Sequence, residues 1–401
     1  LCEVINLYCA HYFQKPKKKT LTLPSWISHN KENRRFTLRR LLLSLTTFML
    51  FSGCRSTVKP SSSLSLGASE PLAAKTMPLA LGDGYSCVLT KKGQGQCLGS
   101  LASPNKETPA VWQVLRAAGS IPVLRNLVAR STVTCGIGVK PPSLENRILC
   151  WQPQPARTPT GRDQDAILLS AKLTTRLKSL SLQKDKICAL LGDSQIACAD
   201  LDGDSNALKV ALVKGLKSMG SLRSGESFSC GARSDTGAIF CWGDNTSGQL
   251  GLGSQLSEGS DAIAIAGFSG FATAVDAGSQ HVCAINHSGE VFCWGSNSHQ
   301  QLAVEGDKYV EPQIVRGLPA KAESLALGEK HSCAQLVDGS VWCWGSGDSL
   351  GSDTRGGLIP LKVNLPVASA NIVASLNRTC SQLTTGEFFC WGTEPEVFTG
   401  P

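Results

Sequence analysis

With 401 residues, 40 glycines, 17 cysteines and only 17% charged side chains, the chain can build a large core with many tight turns and is too poor in charge to be disordered. Its formal charge of +8 is not the footprint of a nucleic-acid binder. Nine of the 39 Lys/Arg (Lys15, Lys17, Lys18, Lys19, Lys31, Arg34, Arg35, Arg39 and Arg40) lie in residues 1–54 against Glu3 and Glu32, which leaves 30 basic and 29 acidic side chains on a nearly neutral body.

Residues 1–53 read as a leader ending in an export signal. Arg34, Arg35, Arg39 and Arg40 precede an apolar run at 41–51, too short to cross a bilayer, for which about 20 residues are wanted. Phe51-Ser52-Gly53-Cys54 resembles the processing box of bacterial lipoproteins, in which the cysteine becomes the lipidated first residue of the mature protein; Phe51 stands where that family usually has Leu. An ordinary cleaved signal peptide is the alternative. Residues 54–78 then form a lipid anchor and flexible linker, since 55–67 are dominated by Ser, Pro and Gly with no period of 2 or 3.6. The expected location is a bacterial cell envelope or cell surface, lipid-anchored, with a periplasmic or secreted protein as the alternative. Cys2 and Cys9 are assigned no role.

The other fourteen cysteines fall into seven couples: Cys87 with Cys97, Cys135 with Cys150, Cys188 with Cys198, Cys230 with Cys241, Cys283 with Cys293, Cys333 with Cys343, and Cys380 with Cys390. Their separations are 10, 15, 10, 11, 10, 10 and 10. First members recur every 42 to 53 residues. The clearest unit has short apolar runs at 324–328, 331–336 and 341–344, with Asp338-Gly339 between the last two. Such runs are strands, and a pair joined through Asp-Gly is a hairpin. A three-residue turn at 337–339 puts Cys333 opposite Cys343, within reach of a disulfide. Zinc would need Cys-x2–4-Cys knuckles, and none is present. Disulfides also suit an exported chain. Apolar segments at 209–216, 313–318 and 361–365 supply the remaining strand material.

Units of about 46 residues with three or four strands are the signature of a propeller. The expected fold class is all-β: a seven-bladed β-propeller over residues 79–401 with one disulfide inside each blade. Little sequence follows Gly392, so residues 77–82 are expected to complete the last blade.

Cys241-Trp242-Gly243-Asp244-Asn245-Thr246-Ser247-Gly248-Gln249-Leu250-Gly251-Leu252-Gly253 resembles repeats of the regulator of chromosome condensation family, with partial echoes at Asn297, Gln301-Leu302 and Leu350-Gly351. The resemblance is strongest over 225–392 and implies a seven-bladed propeller. Bacterial exported relatives carry similar cysteines within blades. The family's nuclear member exchanges nucleotide on a small GTPase and binds chromatin, roles at odds with an export signal and a neutral body. Other relatives are secreted inhibitors, receptors or adhesion-like binders, and a shared fold does not choose among these.

Few residues suggest chemistry. His281 and His331 share one repeat position, two before the first cysteine, which points to a repeated structural hydrogen bond; His287 and His299 read as surface residues. Asp83, Asp244 and Asp307 fall in loop text. Asp200-Leu-Asp-Gly-Asp204 lacks the Glu that closes a calcium loop and reads as a polar turn. Trp151, Trp242, Trp294, Trp344 and Trp391 follow second cysteines and are expected to fill the space between blades, on the face opposite the disulfide. No catalytic, metal or cofactor site is assigned. The functional expectation is an envelope-anchored binding module whose loops take an envelope or extracellular protein or a glycan, with no nucleic acid. The alternatives are a carboxylate-based hydrolase or lyase in the channel and a structural envelope protein. Metabolic labelling with a lipid precursor should mark the native chain and leave Cys54→Ser unlabelled; equal labelling of both, or of neither, refutes the anchor.

Overall fold

The structure, a computed structural model, describes residues 79–99, 113–116, 120–140, 146–151, 175–201, 210–253, 259–350, 357–392 and 396–398. Cys54, the leader and the linker lie outside the described residues. Strands come in seven sheets in chain order. Blade 1 is β1 (Leu79–Gly82), β2 (Tyr85–Leu89), β3 (Gly95–Gly99) and β4 (Gln113–Val114). Blade 2 is β5 (Val123–Arg130), β6 (Val133–Lys140) and β7 (Ile148–Trp151). Blade 3 is β8 (Leu177–Leu182), β9 (Lys186–Leu191), β10 (Ile196–Asp200) and β11 (Ala211–Leu212). Blade 4 is β12 (Arg223–Ser224), β13 (Phe228–Ala232), β14 (Ile239–Gly243) and β15 (Gly259–Ala264). Blade 5 is β16 (Ala272–Ala277), β17 (His281–Asn286), β18 (Val291–Ser296) and β19 (Lys308–Ile314). Blade 6 is β20 (Ala322–Leu327), β21 (His331–Leu336), β22 (Val341–Gly345) and β23 (Gly357–Lys362). Blade 7 is β24 (Ser369–Ser375), β25 (Arg378–Leu383), β26 (Phe388–Gly392) and β27 (Glu396–Phe398).

The first strand of each blade touches the first strand of the next, from β1 through β5, β8, β12, β16 and β20 to β24, and β24 touches β1. That closes a seven-bladed propeller around a central channel. All seven cysteine couples are bonded, each joining the second and third strands of one blade with Cα atoms 4.0–4.1 Å apart. Blade 1 joins Cys87 to Cys97, blade 2 Cys135 to Cys150, and blade 3 Cys188 to Cys198. Blade 4 joins Cys230 to Cys241, blade 5 Cys283 to Cys293, blade 6 Cys333 to Cys343, and blade 7 Cys380 to Cys390. The degenerate first three units therefore pair as the regular ones do, and the longer turn between Cys135 and Cys150 leaves those two residues directly opposite each other. In blade 6 Cys333 stands directly opposite Cys343, the register that the short turn demands. Gly339 occupies a left-handed turn position there (φ +77°), a conformation that costs glycine little.

The residues around the second cysteine divide the labour. In Cys343-Trp344-Gly345 the cysteine faces one neighbouring blade and the tryptophan the other, as alternation along a strand requires. Gly345 (φ +107°) lies at a bulge, where a Cβ would strike the carbonyl of Lys330 and the backbone of His331. Each blade thus has a disulfide face and a tryptophan face, and the disulfide face packs on the tryptophan face of the blade that follows. Cys283, Cys293, Ile285 and Val291 of blade 5 meet Leu325, Leu327 and Trp344 of blade 6. Cys333, Cys343 and Val341 of blade 6 meet Ile372 and Trp391 of blade 7. Phe228, Cys230 and Cys241 of blade 4 meet Val275 and Trp294 of blade 5. Where the tryptophan is replaced, in blades 1 and 3, Leu98 and Ala199 hold its position.

Two expectations need correction. Residues 79–82 do not complete the last blade: they are the innermost strand of blade 1, paired with β2, and β27 from the chain's end supplies blade 7's outer strand. The ring closes by packing instead, with Leu79, Leu81 and Val88 against Cys380, Phe388 and Cys390. The apolar segments at 209–216, 313–318 and 361–365 are also only partly strand. Leu212, Ile314 and Leu361 lie in fourth strands, but Leu216, Val315 and Val363 follow them and are buried between blades rather than paired along an edge. Removing a tryptophan leaves a cavity between two sheets, so Trp344→Ala should lower unfolding stability by about 3–5 kcal/mol; a urea midpoint equal to that of the native chain refutes the seam.

Candidate interaction face at the channel mouth

The turns that join first and second strands all lie at one end of the ring, and they bond to one another from blade to blade. Asp83 N–H donates to Ser131 O (2.8 Å), Lys184 N–H to Glu226 O (2.9 Å), Glu226 N–H to Ser279 O (3.0 Å), Ser279 N–H to Gly328 O (3.2 Å) and Glu329 N–H to Leu376 O (2.6 Å). This backbone belt forms one mouth of the channel. The loops between third and fourth strands meet it: Ser296 N–H donates to Gln280 O and Ser346 N–H to Lys330 O, both at 2.9 Å.

Beneath the belt, side chains close gaps by complementary size. One innermost strand ends in Gly82 and three are followed directly by Gly225, Gly278 and Gly328, where a Cβ would collide with the ring three residues on: Tyr85, Phe228, His281 and His331 respectively. Where that ring is absent, before Val133 and Lys186, the glycine is replaced by Arg130 and Gln183. Arg130 donates to Leu182 O (2.9 Å) and Ser224 O (2.8 Å), and Gln183 donates to Ser229 Oγ (2.9 Å).

The residue before the first cysteine answers its neighbour's ring. His281 Nε2 bonds Ser332 Oγ (2.9 Å), His331 Nε2 bonds Thr379 Oγ1 (2.6 Å), and Thr134 Oγ1 bonds the Tyr85 hydroxyl (2.9 Å). The apolar Val133 and Phe228 are clustered with Ile187 and Val282. Ser332 gives its proton to Gln301 O (2.9 Å), so His281 donates from Nε2. Both histidines are fully buried, and burial pushes them down, to about 3 for His281, where the charge of His331 adds to the effect, and to about 4 for His331. They are neutral structural groups, in agreement with a repeated hydrogen bond between blades.

Charged side chains also tie the free edges of the inner strands. Arg223 and Asp276 hold the same repeat position in blades 4 and 5. Arg223 Nε lies 3.4 Å from Asp276 Oδ1, while Asp276 Oδ2 accepts Leu327 N–H (3.0 Å). Burial raises the Asp276 carboxyl, and Arg223 opposes the rise. Both its oxygens are engaged, so its evident work is to cap an open sheet edge. Sequence reasoning passed over Arg130, Arg223 and Asp276; the available signal was a lone charge inside an otherwise apolar strand run.

The motif loops hold themselves together. Asn245 Oδ1 accepts Leu250 N–H and Asn297 Oδ1 accepts Leu302 N–H, both at 2.9 Å. Gln249 and Gln301 lend their carbonyls to the indoles of Trp294 (3.0 Å) and Trp344 (2.8 Å) in the following blade. Asp244 accepts from Thr246 and Gln249 within its own loop. The Asp307 carbonyl accepts Asn297 N–H. Asp200 pairs with Lys186 across the hairpin at 3.1 Å, while Asp204 lies outside the described residues. His299 bonds Ser298 at the surface, and His287 lies at the far end of the ring. Among the described residues no group of three His, Cys, Asp or Glu could hold a metal ion. Exposed or half-exposed residues around the mouth include Lys184, Glu226, Gln280, Glu329 and Lys330, together with Asp83 and Asp185.

Residues 236–285 and 288–335 match the Regulator of chromosome condensation (RCC1) repeat. A second form of the repeat matches 221–249 and 272–301. Over 90 residues the chain is 37% identical to the probable E3 ubiquitin-protein ligase HERC4 of Rattus norvegicus, a match covering 22% of this chain and 8% of that protein. The chain therefore matches under a tenth of that relative's length. Among solved structures it resembles Prp20p of Saccharomyces cerevisiae (TM-score 0.59, 15% identity, 80% of this chain and 82% of that one). It also resembles the CRINKLY ectodomain of the Arabidopsis thaliana receptor kinase ACR4 (TM-score 0.52, 18% identity, 80% and 97%). These likenesses show RCC1 repeats within residues 221–335 and a propeller fold like that of the solved structures.

The neutral histidines make stability fall with acid. The unfolded chain charges them below about pH 6.5 and the folded chain does not, so stability is lost as pH falls from about 6.5 towards 4. Urea midpoints should register a loss on the order of 2 kcal/mol per histidine at pH 5. His281→Phe, the ring that blade 4 already holds over Gly225, should remove about half of it; an unchanged pH slope in that variant refutes the assignment.

Proposed function

We propose that the chain is an exported binding module, lipid-anchored at Cys54 in a bacterial envelope, that holds a protein partner on the face around the channel mouth. One observation carries the reading: what repeats from blade to blade is buried and structural, and what varies is exposed on turns fixed by the backbone belt. Cysteines, tryptophans, Asn245, Gln249, Asn297 and Gln301 are buried or bonded internally, whereas Lys184, Glu226, Gln280, Glu329 and Lys330 differ in charge and face solvent. Variable side chains on a rigid frame are how scaffolds concentrate recognition.

Seven disulfides favour an oxidising compartment, which fits export. Prp20p has binding properties towards Gsp1p and histones, and the ACR4 propeller is an ectodomain; a protein partner and an extracytoplasmic setting are carried here from those proteins. Pull-down from envelope extracts with the full chain carrying Cys54→Ser should recover one saturable protein. Reversing Lys184, Glu226, Glu329 and Lys330 together should weaken it at least about tenfold, since charges at an interface set encounter and register. Turnover of a glycan or peptide pool without a stable partner would replace this reading with an enzyme.

A further inference from the structure

At the other end of the ring, the hairpins between second and third strands form a continuous surface with the starts of the innermost strands. Leu79 pairs with Val88 beside the blade 1 hairpin, so the chain enters the propeller at this face. The hairpins of blades 1 and 2 reach the next blade, where Leu124 N–H donates to Gly93 O (2.7 Å) and Leu177 N–H to Asn146 Oδ1 (2.7 Å); within blade 3, Gly192 N–H donates to Arg176 O (2.6 Å). Along this path across blades 1–3 stand Lys91, Lys92, Arg125, Arg147, Arg176 and Lys178. Four of them are exposed, and Arg125 and Arg147 are half-buried.

Among the described residues none of these six makes an ion pair. Asp193, on the blade 3 hairpin, is engaged with Gln195. Lys178 reaches only the Ser194 hydroxyl (3.0 Å). Arg125 feels Arg176 as an uncompensated like charge, which adds to burial in lowering its guanidinium. The hairpins of blades 5, 6 and 7 instead carry Glu290, Asp338 and Glu387, with Lys321 and Lys362 beside the first two, so the basic run of this face lies on blades 1–3 and its other side is of mixed sign.

We propose that the hairpin face of blades 1–3 is a basic docking surface for the anionic lipid headgroups of the membrane that holds Cys54. The inference rests on the anchored reading above. Residues 55–78 separate Cys54 from β1 and can span at most about 80 Å, and they join the propeller beside Lys91 and Lys92. A cation near an anionic bilayer contributes about 1 kcal/mol, roughly fivefold in binding, and only within a Debye length of the surface. Docking this face leaves the channel mouth directed away from the membrane.

The full chain carrying Cys54→Ser is sedimented with phosphatidylcholine vesicles, with and without about 30% phosphatidylglycerol, the anionic component that sets the surface potential. The anionic lipid should raise binding at least about tenfold at low salt, and high salt should abolish the increment. Replacing Lys91, Lys92, Arg176 and Lys178 by Glu should remove it, and replacing them by Gln should remove most of it, with unchanged urea midpoints. Lys308→Glu, at the opposite end, should keep it. An equal increment in the Glu variant overturns the proposal, as does displacement by millimolar-range glycerol phosphate, which would mean a small-anion pocket. Because Cys54 is absent from this test, lost labelling of the native chain with a retained increment refutes the anchor alone, and the reverse refutes the face alone.

Discussion

Everything in this propeller depends on a seam that repeats seven times, in which the disulfide face of one blade packs on the next blade's tryptophan face or its equivalent. A four-stranded blade has two apolar faces and cannot bury either alone, so stability comes from neighbours. The cross-strand disulfide ties the middle of each blade to a single register. The indole opposite fills a volume no smaller side chain would, and its N–H finds a carbonyl of the preceding blade in Trp151, Trp294 and Trp344. Closure between blades 7 and 1 uses the same seam, with Leu79, Leu81 and Val88 packed against the Cys380–Cys390 disulfide face, and so requires no shared strand.

At the channel end of each seam the same economy is achieved by size and polarity. A ring over a glycine, or an arginine or glutamine where the ring is missing, occupies one space in different ways. A hydroxyl in the next blade answers a polar ring, and Ile187 or Val282 answers an apolar residue. These pairings run between neighbours in space some fifty residues apart in sequence, such as His281 with Ser332 and His331 with Thr379. They match each blade to its own successor and leave the inner strands' edges satisfied by Asn126, Arg130 and Asp276.

The division between inside and outside bears directly on function. The loop motif from Asp244 to Gly253 is the most recognisable text in the chain, yet its side chains hold the loop and the Gln249 backbone carbonyl receives the neighbouring indole. In the function proposed above, recognition falls to residues with no motif at all. Lys184, Glu226 and Glu329 sit on turns whose backbone is pinned blade to blade, which places them firmly without specifying what they are.

Cysteine spacing and the glycine-bounded apolar runs by themselves determined the strand hairpins, the disulfide pairing and the number of blades. These are local consequences of a period of two along a strand and of a short turn, and both are written within about fifteen residues. The position of the tryptophans opposite the disulfides followed from the same alternation. Tertiary structure alone decided which strand completes the last blade, which apolar residues become plugs rather than strand, and how Arg130, Arg223 and Asp276 are engaged. Each of these depends on a partner in another blade, and nothing in local spacing records which side chain, forty or more residues away, will complete a hydrogen bond or fill a gap.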